Sequence, residues 1–590
     1  MSRALGDEMH ELLTMRSGAY FRVGAVCLVV LAVAVYIPSF TNGFVWDDSD
    51  NVAQKASLTG VAGLVRIWTD PFANQQYYPI THTTFWIEHS LWGLAPLPYH
   101  VDNILLHALC AVFILAILRR LAVPGAWLAA AFFVVHPVNV ESVAWITERK
   151  NVLSGAFFFA SALAYLSYAR IGDAPPDKRS GGQSRRGMYW CSLGLFVCAL
   201  LSKTATCPLP LALVLILWWK KDRLRGRDMY PLLPFVGVAA AMGVVTTLLE
   251  KHLGAAGSVW NMTLLEKTLV AGRALWFYAA KAFWPAGIIF IYPRWTVDPR
   301  AAWQYLYPVA ALIVFAGLWL LRKRMGKGPL VAVLYFLVMV GPALGFLNIY
   351  FARYSFVQDH FQYLGSIGLL APVAFVLARG AETKAGPRAG LCVVVACLIV
   401  VVLASISWGE QHKYLNEESL WRATIAANPS AAIAHSNLGK LLLDRGDTNE
   451  AGVEIARALR LGPQYAEMWC NYGIWLIKFD SPAKAVPYFR RSLELNPFYI
   501  PALTNIALAD LKRGRVDLAE KDARHALKLD DRLPDAHNIL GIALIHRRNI
   551  EEAIIHFRAA LSLDPGNPGY QRNLDLALGM RHSGLSGLRV

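Results

Sequence analysis

Two adjacent carboxylates, Asp47 and Asp48, follow the first long apolar run of the chain. Neighbouring carboxylates do not both ionise easily, so the pKa of one tends to rise and that of the other to fall, which suits one of them to base catalysis. Together with Asp50 they form an oxygen-only set of the kind that magnesium or manganese prefers, although no further carboxylate or histidine is tied to them by spacing. The pair is the first candidate for catalysis, and a divalent cation stays an open alternative.

Further ionisable and aromatic side chains stand near the ends of later apolar runs. Ionisable groups beside a membrane core that depart from the general charge pattern are candidates for function. For any one of them alone, a solvated loop residue is an equally good interpretation. These candidates are Arg149, Lys150, Lys203, Tyr292, Arg294, Arg353 and His360.

The composition indicates which kind of molecule must position these residues. Of the 590 residues, 56% are hydrophobic and only 17% are charged, which is too apolar for an ordinary soluble protein. The net charge of +16 comes from short basic clusters between long apolar runs. Such clusters are typical of membrane topology signals, and no motif for nucleic-acid binding accompanies them. We therefore expect an integral membrane protein that binds no nucleic acid.

Apolar runs long enough to cross a bilayer recur up to about Trp408. Placing every basic cluster in the cytoplasm requires an even number of crossings between Arg227 and Arg322, where three runs occur. We resolve this by treating the run over residues 265–283 as re-entrant, interfacial or split. The sequence then predicts a cytoplasmic segment over 1–20, a membrane domain over 21–408 with about eleven crossings, and a C-terminal part outside the cytoplasm.

The C-terminal part repeats itself every 34 residues. Small residues recur at this step, and a second small position follows twelve residues after each of them. This pattern is typical of tetratricopeptide (TPR) helix pairs, in which small residues allow close packing and proline ends the second helix. It predicts a partial repeat, four full repeats and a capping helix over 409–580, followed by a tail over 581–590. The two small positions are Gly439, Gly473, Ala507 and Gly541, then Ala451, Ala485, Ala519 and Ala553.

Three asparagines, Asn437, Asn471 and Asn505, recur at the same repeat spacing. Stacked helices would align them as a ladder on the concave face of the solenoid, where such arrays bind peptides. Each amide both donates and accepts, so the ladder would hold the backbone of an extended peptide acceptor without reading its sequence. The alternative is that these amides cap or bridge neighbouring helices.

Several segments together resemble the transmembrane-and-TPR-containing O-mannosyltransferases and their bacterial relatives. The likeness covers nearly the whole chain, including the order of apolar runs and the repeats. Three positions depart from the family pattern. His360 and Tyr78 each stand where an arginine is expected, and Gly365 stands where a proline is expected. The segments that carry the resemblance are 44–48, 77–80, 99–107, 136–144, 148–151, 202–204 and 292–294.

The resemblance implies an all-α protein with a multi-span domain of the GT-C glycosyltransferase type followed by a TPR solenoid. It also implies a polyprenyl- or dolichyl-phosphate-linked sugar as donor, membrane lipid around it and Ser or Thr of a protein as acceptor. The family's catalytic carboxylate falls on the Asp47–Asp48 pair. Candidate donor-binding residues are then Arg149, Lys150, Lys203, Tyr292, Arg294, Arg353 and His360, because cations stabilise a departing phosphate.

Two other classes of protein remain as alternatives. The first is a non-catalytic membrane anchor whose repeats assemble envelope or secretion machinery. The second is a transporter for a polyprenyl-linked substrate, in which ionisable groups are expected near the middle of the membrane. The acidic pair beside several cations favours the transferase, because a scaffold has no need of it.

Overall fold

The computed structural model describes residues 18–53, 60–72, 74, 76–172, 182–221, 223–252, 262–347, 350–382, 387–479 and 481–582. Throughout this part the chain is helical and carries no strand, which confirms the predicted all-α class. The chain divides into two compact units, residues 1–423 and 424–590. Most of the predicted terminal segments 1–20 and 581–590, and part of the basic cluster near Lys178, lie outside the described residues.

The first unit contains long apolar helices joined by short irregular segments. Its first ten α-helices are α1 Gly18–Val35, α2 Gly60–Thr69, α3 Pro79–Trp92, α4 Pro96–Arg120, α5 Ala126–Val135, α6 Val140–Ala144, α7 Arg149–Ala169, α8 Gly182–Ser202, α9 Leu209–Lys220 and α10 Gly226–Met229. The next seven are α11 Leu233–His252, α12 Leu264–Phe283, α13 Leu306–Met325, α14 Gly328–Val340, α15 Ile367–Ala381, α16 Pro387–Glu410 and α17 Glu417–Ala427.

Close packing at small residues holds the inner helices of this unit together. Ser161 on α7 and Ser192 on α8 each donate a hydrogen bond to the other's backbone carbonyl, at 2.7 and 2.8 Å. Gly125 precedes α5 with a φ of +74°, and a Cβ there would lie 2.5 Å from the carbonyl oxygen of Ala374. Small residues of this kind let membrane helices approach closely, and the reciprocal hydroxyl bonds add directional attraction.

Several outer helices expose apolar side chains over most of their surface. Leu312, Ile313 and Leu320 on α13 are 65–74% exposed, and Val394 and Leu398 on α16 are about 60% exposed. Contiguous exposed apolar surface of this size is unfavourable in water and is stable in contact with lipid chains. By length and composition, five helical segments of the described chain are able to cross a membrane, or six with one bent pair, and four shorter apolar helices accompany them.

The run over residues 265–283 forms one unbroken helix, α12, so the suggestion that it is split is wrong. A capping box starts it, in which the Thr263 hydroxyl accepts from the Glu266 N–H at 3.2 Å and the Thr263 N–H donates to the Glu266 carboxylate at 2.7 Å. The described part of the chain thus has fewer helices of full spanning length than the predicted eleven crossings. The number of crossings and the side of the membrane on which the repeats lie stay predictions.

The second unit consists of paired antiparallel helices. Its helices are α18 Ala432–Arg445, α19 Thr448–Leu461, α20 Ala466–Phe479, α21 Pro482–Leu495, α22 Ile500–Lys512, α23 Val516–Leu529, α24 Pro534–His546, α25 Ile550–Leu563 and the capping helix α26 Pro568–His582. Second helices end two residues before the predicted stop at Pro463, Pro497, Asp531 and Pro565. The four predicted repeats and the cap are therefore present.

The first small position of each repeat faces a side chain on the second helix of the same repeat. A Cβ on Gly473 would lie 2.6 Å from the ring of Phe489, and one on Gly541 would lie 2.5 Å from Phe557. In the third repeat Ala507 belongs to the same buried cluster as the small residue Ala523. Glycine on the first helix therefore accompanies a large side chain on the second helix, and alanine accompanies a small one.

Candidate functional site

The site forms around an irregular segment between α5 and α7. Helix α5 ends at Val135, and the chain then bends by 57° into residues 137–144 before α7 begins at Arg149. Every residue from 136 to 149 is buried. Irregular backbone at membrane depth is stable only where protein satisfies its polar groups, and Asn103 does so here. Its amide nitrogen lies 3.2–3.3 Å from the carbonyl oxygens of Val143, Trp145 and Ile146.

Asp48 is fully buried against this segment. One of its oxygens accepts from the Val45 N–H at 2.9 Å, and the other accepts from the N–H of Thr147 at 2.7 Å and from the Thr147 hydroxyl. Burial, and then the neighbouring charge of Asp47, raise the pKa of Asp48 to about 7 although the hydrogen bonds from Thr147 and Val45 lower it. Asp48 is therefore not a solvated loop carboxylate, because it joins two segments that are distant in the chain.

Asp47 differs from its neighbour because it is only half-buried. Its backbone carbonyl accepts from the Asn51 N–H at 2.9 Å, and its carboxylate is close enough to Lys150 for electrostatic attraction. The preceding Trp46 has a φ of +48°, which is rare for a bulky residue and marks local strain. Its ring stacks on Trp145 at 5.5 Å and meets the edge of Trp421 at 5.7 Å, so packing holds this conformation.

Two of the predicted cations meet at one buried carboxylate, Glu148. The ammonium of Lys150 lies 3.0 Å from one of its oxygens, and that of Lys203 lies 3.1 Å from the other. Burial lowers the pKa of Lys203 to about 8 although the charge of Glu148 opposes that shift. With Asp47 near Lys150, the cluster contains two positive and two negative groups. The near neutrality of the cluster allows these charges to be buried.

Arg149, also predicted to bind the donor, points away from this cluster into a separate network. Its guanidinium forms a bidentate ion pair with Glu88, at 2.7 and 2.9 Å, and donates a hydrogen bond to the Tyr99 carbonyl at 2.8 Å. Its Nε donates to the side-chain oxygen of Asn103. Arg149 is 1% exposed, so in this structure it holds α3, α4 and the start of α7 together.

Tyr292 and His360 lie in adjoining buried pairs. The Tyr292 hydroxyl donates to Asp359 at 2.6 Å, and burial followed by the charge of Glu141 raises the pKa of Asp359 to about 7. His360 makes two bonds with Glu141, at 3.0 Å through Nδ1 and at 3.1 Å through its backbone N–H. These pairs tie the segment before α15 to α6 and to the chain after α12.

The two remaining predicted cations have more exposed positions. Arg294 is exposed and lies over the ring of Phe356 at 4.6 Å. Arg353 is half-buried and lies over the ring of Tyr354 at 5.0 Å. Neither forms an ion pair with Glu148 among the described residues. The structure therefore brings Asp47, Lys150 and Lys203 together and leaves these two arginines nearer the surface.

The structure also bears on the divalent cation considered for the acidic pair. Where side chains are described, no group of three or more His, Cys, Asp or Glu is placed to hold one ion. The side chain of Asp50 lies outside that part. Both oxygens of Asp48 already accept from N–H groups, which would compete with a metal. The described residues therefore do not fit a bound divalent cation, and the reaction proposed below uses none.

The asparagines of the repeats have differing partners. The amide of Asn471 donates to the Ser436 hydroxyl at 2.8 Å, bridging neighbouring repeats, and that of Asn505 donates to the Pro501 carbonyl within its own helix at 2.8 Å. The amide nitrogen of Asn437 is buried and has no hydrogen-bond partner among the described residues. All three are half-buried. Asn471 thus satisfies the bridging alternative, Asn505 bonds only within its own helix, and contact of the three amides with a peptide stays a prediction.

Sequence reasoning missed several residues of this site. Glu88 and Thr147 were not identified, since a single carboxylate in a helix and a single threonine give no signal by spacing. Glu141 and Glu148 stand within segments that carry the resemblance, but their sequence context assigns them no role in the site. Carboxylates so close to apolar runs were the available signal, because they are rarely buried without a partner.

Taken together, the fold and the site define a multi-helix membrane protein with a buried cluster of charges and a TPR solenoid. A family model described as tetratricopeptide repeat matches residues 418–466 and 504–568. The crystal structure of YrrB, a TPR protein with an unusual peptide-binding site, is 22% identical with a TM-score of 0.23 and covers 30% of this chain and 88% of that one. At that score the likeness supports no argument about function.

Two named relatives match about three quarters of the chain. Protein O-mannosyl-transferase TMTC4 of Homo sapiens is 25% identical over 508 residues, 72% of this chain and 64% of that protein. A protein O-mannosyl-transferase of Caenorhabditis elegans is 22% identical over 460 residues, 75% of this chain and 63% of its own length. The chain is thus a relative of the transmembrane-and-TPR-containing protein O-mannosyltransferases, which confirms the resemblance of its motifs. It spans just under two thirds of the length of these two proteins.

Proposed function

We propose that this protein is a membrane glycosyltransferase that moves a sugar, mannose or another hexose, from a polyprenyl- or dolichyl-phosphate donor to Ser or Thr of a protein acceptor. The names of its relatives support the reaction class. The observation that carries the proposal is the meeting of Lys150 and Lys203 at Glu148, next to Asp47. Two buried ammonium groups beside a partly accessible carboxylate suit the transfer of a sugar from a phosphate to a hydroxyl.

The reaction breaks the bond between the sugar's anomeric carbon and the phosphate oxygen and forms one between that carbon and the acceptor oxygen. The phosphate leaves with the bonding electron pair, and the acceptor hydroxyl loses its proton. Lys150 and Lys203 stabilise the negative charge that develops on the phosphate, since donors fixed in a site of low dielectric are most effective there. Asp47 accepts the hydroxyl proton.

The remaining residues of the cluster position these groups. Glu148 holds the two ammonium groups together against their mutual repulsion until a phosphate competes for them. Asp48 holds the loop that carries Asp47 against Thr147, and Arg149 fixes the start of the helix that carries Lys150. Tyr292 and His360 fix the neighbouring wall through Asp359 and Glu141. Arg294 and Arg353, nearer the surface, meet the donor before it enters.

The repeats would capture the protein acceptor, with the half-buried Asn437, Asn471 and Asn505 as contacts to its backbone. TPR solenoids present an extended concave surface to peptides, and a groove on the same chain raises the concentration of the acceptor near the membrane site. The non-catalytic scaffold is the competing function, and it needs the repeats but not the charged cluster.

The test uses purified full-length protein in lipid nanodiscs with mannosyl-phosphoryl-polyprenol and a Ser/Thr-rich peptide. Transfer of one hexose is measured by mass spectrometry. Lys203→Met should reduce transfer by about 100-fold or more, because it removes one of two charges opposite the leaving phosphate. Lys267→Met, outside the cluster, is the matched control. Absence of transfer with every lipid-linked hexose tried, by a correctly folded protein, would favour the scaffold.

A further inference from the structure

An apolar cavity of about 380 Å³ lies within the membrane unit, away from the charged cluster. Residues of α4, α7, α9, α14 and α15 line it, among them Ile117, Phe158, Leu213 and Phe375. Its volume is within the range of about 300–1,000 Å³ usual for ligand pockets. Of the described residues that line it, Lys327 is the only charged one. Such a lining suits a hydrocarbon chain.

The cavity reaches the end of these helices that is opposite to the candidate active site, and we call that end, lined by Leu121, Trp219 and Lys327, its mouth. On α4, Asn103 contacts the irregular segment of the site, whereas Leu121, just beyond the last turn, lines the cavity mouth. Eighteen residues separate the two, by subtraction, which corresponds to roughly 27 Å along a helix. That length approaches the roughly 30 Å of a bilayer's hydrocarbon core. A phosphate held at Lys203 would therefore not reach this mouth.

Two lysines flank the mouth without a carboxylate partner in the described part of the chain. Lys220 donates one hydrogen bond, to the carbonyl of Leu121, and its ammonium lies 3.9 Å from the centre of the Trp219 ring. Lys327 donates to the carbonyls of Trp218 and Lys221, at 2.9 and 3.3 Å. An ammonium has three N–H groups, so each lysine keeps at least one for a ligand.

The surroundings add to the positive charge at this mouth. Exposed Lys323 and Arg324 end α13, directly before the lining residues Met325 and Gly326. Among the described residues of this end, the carboxylate of Asp228 is paired with Lys221 at 2.5 Å. Basic pockets between membrane helices at the cytoplasmic side recognise anionic lipid headgroups.

We propose that this cavity binds one anionic phospholipid. One acyl chain of the lipid lies among α4, α7 and α9, and the lipid's phosphate lies at Lys220 and Lys327. Charge complementarity selects the headgroup, because a zwitterionic lipid would bring a cation to the same lysines. The bound chain fills the cavity between these helices, so the lipid stabilises the membrane unit. This site is separate from the one proposed for the sugar donor.

The test uses the full-length protein, delipidated in detergent, with dioleoyl phosphatidylglycerol or dioleoyl phosphatidylcholine added back. Native mass spectrometry counts retained lipid, and thermal unfolding reports stability. Phosphatidylglycerol should be retained in preference to phosphatidylcholine, with one molecule surviving dilution, and should raise Tm by several degrees more. Equal retention and equal Tm with both lipids would overturn the proposal, whatever the variants show.

Two sets of variants locate the site. Lys220→Gln and Lys327→Gln keep an N–H for the helix-end carbonyls but remove the charge, and each should weaken phosphatidylglycerol binding by about fivefold, since one basic residue near an anionic lipid is worth roughly 1 kcal/mol. Lys267→Gln, on α12 and outside the lining, is the control and should bind as wild type. Unchanged binding in both lysine variants overturns the assignment.

A competition experiment separates the phospholipid from the tail of the sugar donor. Polyprenyl phosphate without sugar should leave the retained phosphatidylglycerol in place, because its phosphate belongs at the charged cluster. Displacement of phosphatidylglycerol by polyprenyl phosphate would assign the cavity to the donor's tail and overturn the proposal. This readout does not depend on transfer activity, so failure of the glycosyltransferase function would leave it intact.

Discussion

Asp47 and Asp48 are neighbours in the chain, yet their surroundings differ and suit them to different roles. Asp48 is buried and accepts hydrogen bonds from Val45 and Thr147 through both oxygens. Asp47 is half-buried and lies near Lys150. A general base must be reached by the acceptor hydroxyl, and a carboxylate whose oxygens are already bonded is poorly suited to that role.

Substituting each member of the pair separates catalysis from stability. Asp47→Asn should reduce transfer by about 100-fold or more. It should destabilise the protein by about 1 kcal/mol, less than the loss of Glu148, because Asp47 is only half-buried, whereas Glu148 is buried and pairs with both lysines. Asp48→Asn should destabilise the protein by about 1–3 kcal/mol, because the amide NH₂ would face an N–H donor. Thermal unfolding and turnover in nanodiscs measure both, with the exposed Asp298→Asn as control. Wild-type turnover in Asp47→Asn would remove it from the mechanism.

A double-mutant cycle tests the balance of charges in the cluster. Glu148→Gln leaves two buried ammonium groups with one carboxylate and should cost about 3–5 kcal/mol of stability. Adding Lys203→Met restores equal numbers of charges, so the double variant should recover much of that stability while transfer stays lost. Unfolding free energies of the two single variants and the double variant give the coupling. Additive losses would mean that the charges do not interact as described.

At the scale of the helix, the repeats show how local volume is conserved. Gly473→Ala should destabilise the second repeat by about 1–3 kcal/mol, since its Cβ would lie 2.6 Å from the buried ring of Phe489. The loss should shrink when Phe489→Leu is also present. Gly579→Ala is the matched control, because α26 leaves open space there and the change should stabilise the helix by about 0.5–1 kcal/mol. Urea midpoints measure the stability of the wild type, Gly473→Ala, the double variant with Phe489→Leu, and Gly579→Ala.

A histidine pair makes the last full repeat sensitive to acid. Nδ1 of His537 on α24 lies 2.9 Å from Nδ1 of His556 on α25, and burial, then the charge of His537, lower the pKa of His556 although Glu552 opposes the shift. A histidine with a lowered pKa favours the folded state while neutral. Its contribution is therefore present above the ordinary pKa of about 6.5 and is lost as the pH falls below that value.

The matching experiment compares urea midpoints of the repeats at pH 7.5 and 5.5. The wild type should lose stability at the lower pH. His556→Gln should show a smaller loss, since Gln stays neutral and keeps a hydrogen-bonding group near His537. Arg524 also faces this pair and lowers the pKa of His556, whereas Glu552 raises it. Both residues are kept unchanged in the experiment so that only the histidine is varied. An equal loss in His556→Gln would place the acid sensitivity elsewhere.

The whole molecule divides into two units, and the proposed activity divides with them. Removal of residues from Ser430 onward keeps helix α17, whose Trp421 is fully buried against Trp46 and Phe290 beside the acidic pair. A solenoid repeat depends on its neighbours, so its loss need not disturb the membrane unit. A cut at residue 409 would instead remove Trp421 and disturb the site.

The truncated protein should still transfer sugar to a short peptide at high concentration. It should fail on full-length acceptors at low concentration, because the repeats no longer raise the local acceptor concentration, which tethering brings to roughly millimolar levels. Initial rates on both substrates measure the difference, and the intact chain is the control. Equal loss on both would mean that the repeats support the active site, and equal activity on both would mean that they bind another partner.

The sequence by itself determined the features that depend on neighbouring residues. Apolar runs predicted helices because a helix satisfies its own backbone, and the 34-residue step predicted the repeats because each repeat packs only on those beside it. Gly473 and Phe489 belong to one repeat, so their contact depends only on residues that are close in the chain. The motifs marked Asp47, Lys150 and Lys203 as candidates, together with arginines that the structure places elsewhere.

Only the tertiary structure decided which charges are buried and with whom. Lys203 and Glu148 are 55 residues apart, Asp48 and Thr147 are 99 apart, and His360 and Glu141 are 219 apart. No local pattern specifies such partners, because they depend on how the irregular segment packs between distant helices. The same packing turned Arg149 toward Glu88 and left Arg294 at the surface. Burial requires that each charge find a partner, and only the assembled helices determine which partner is within reach.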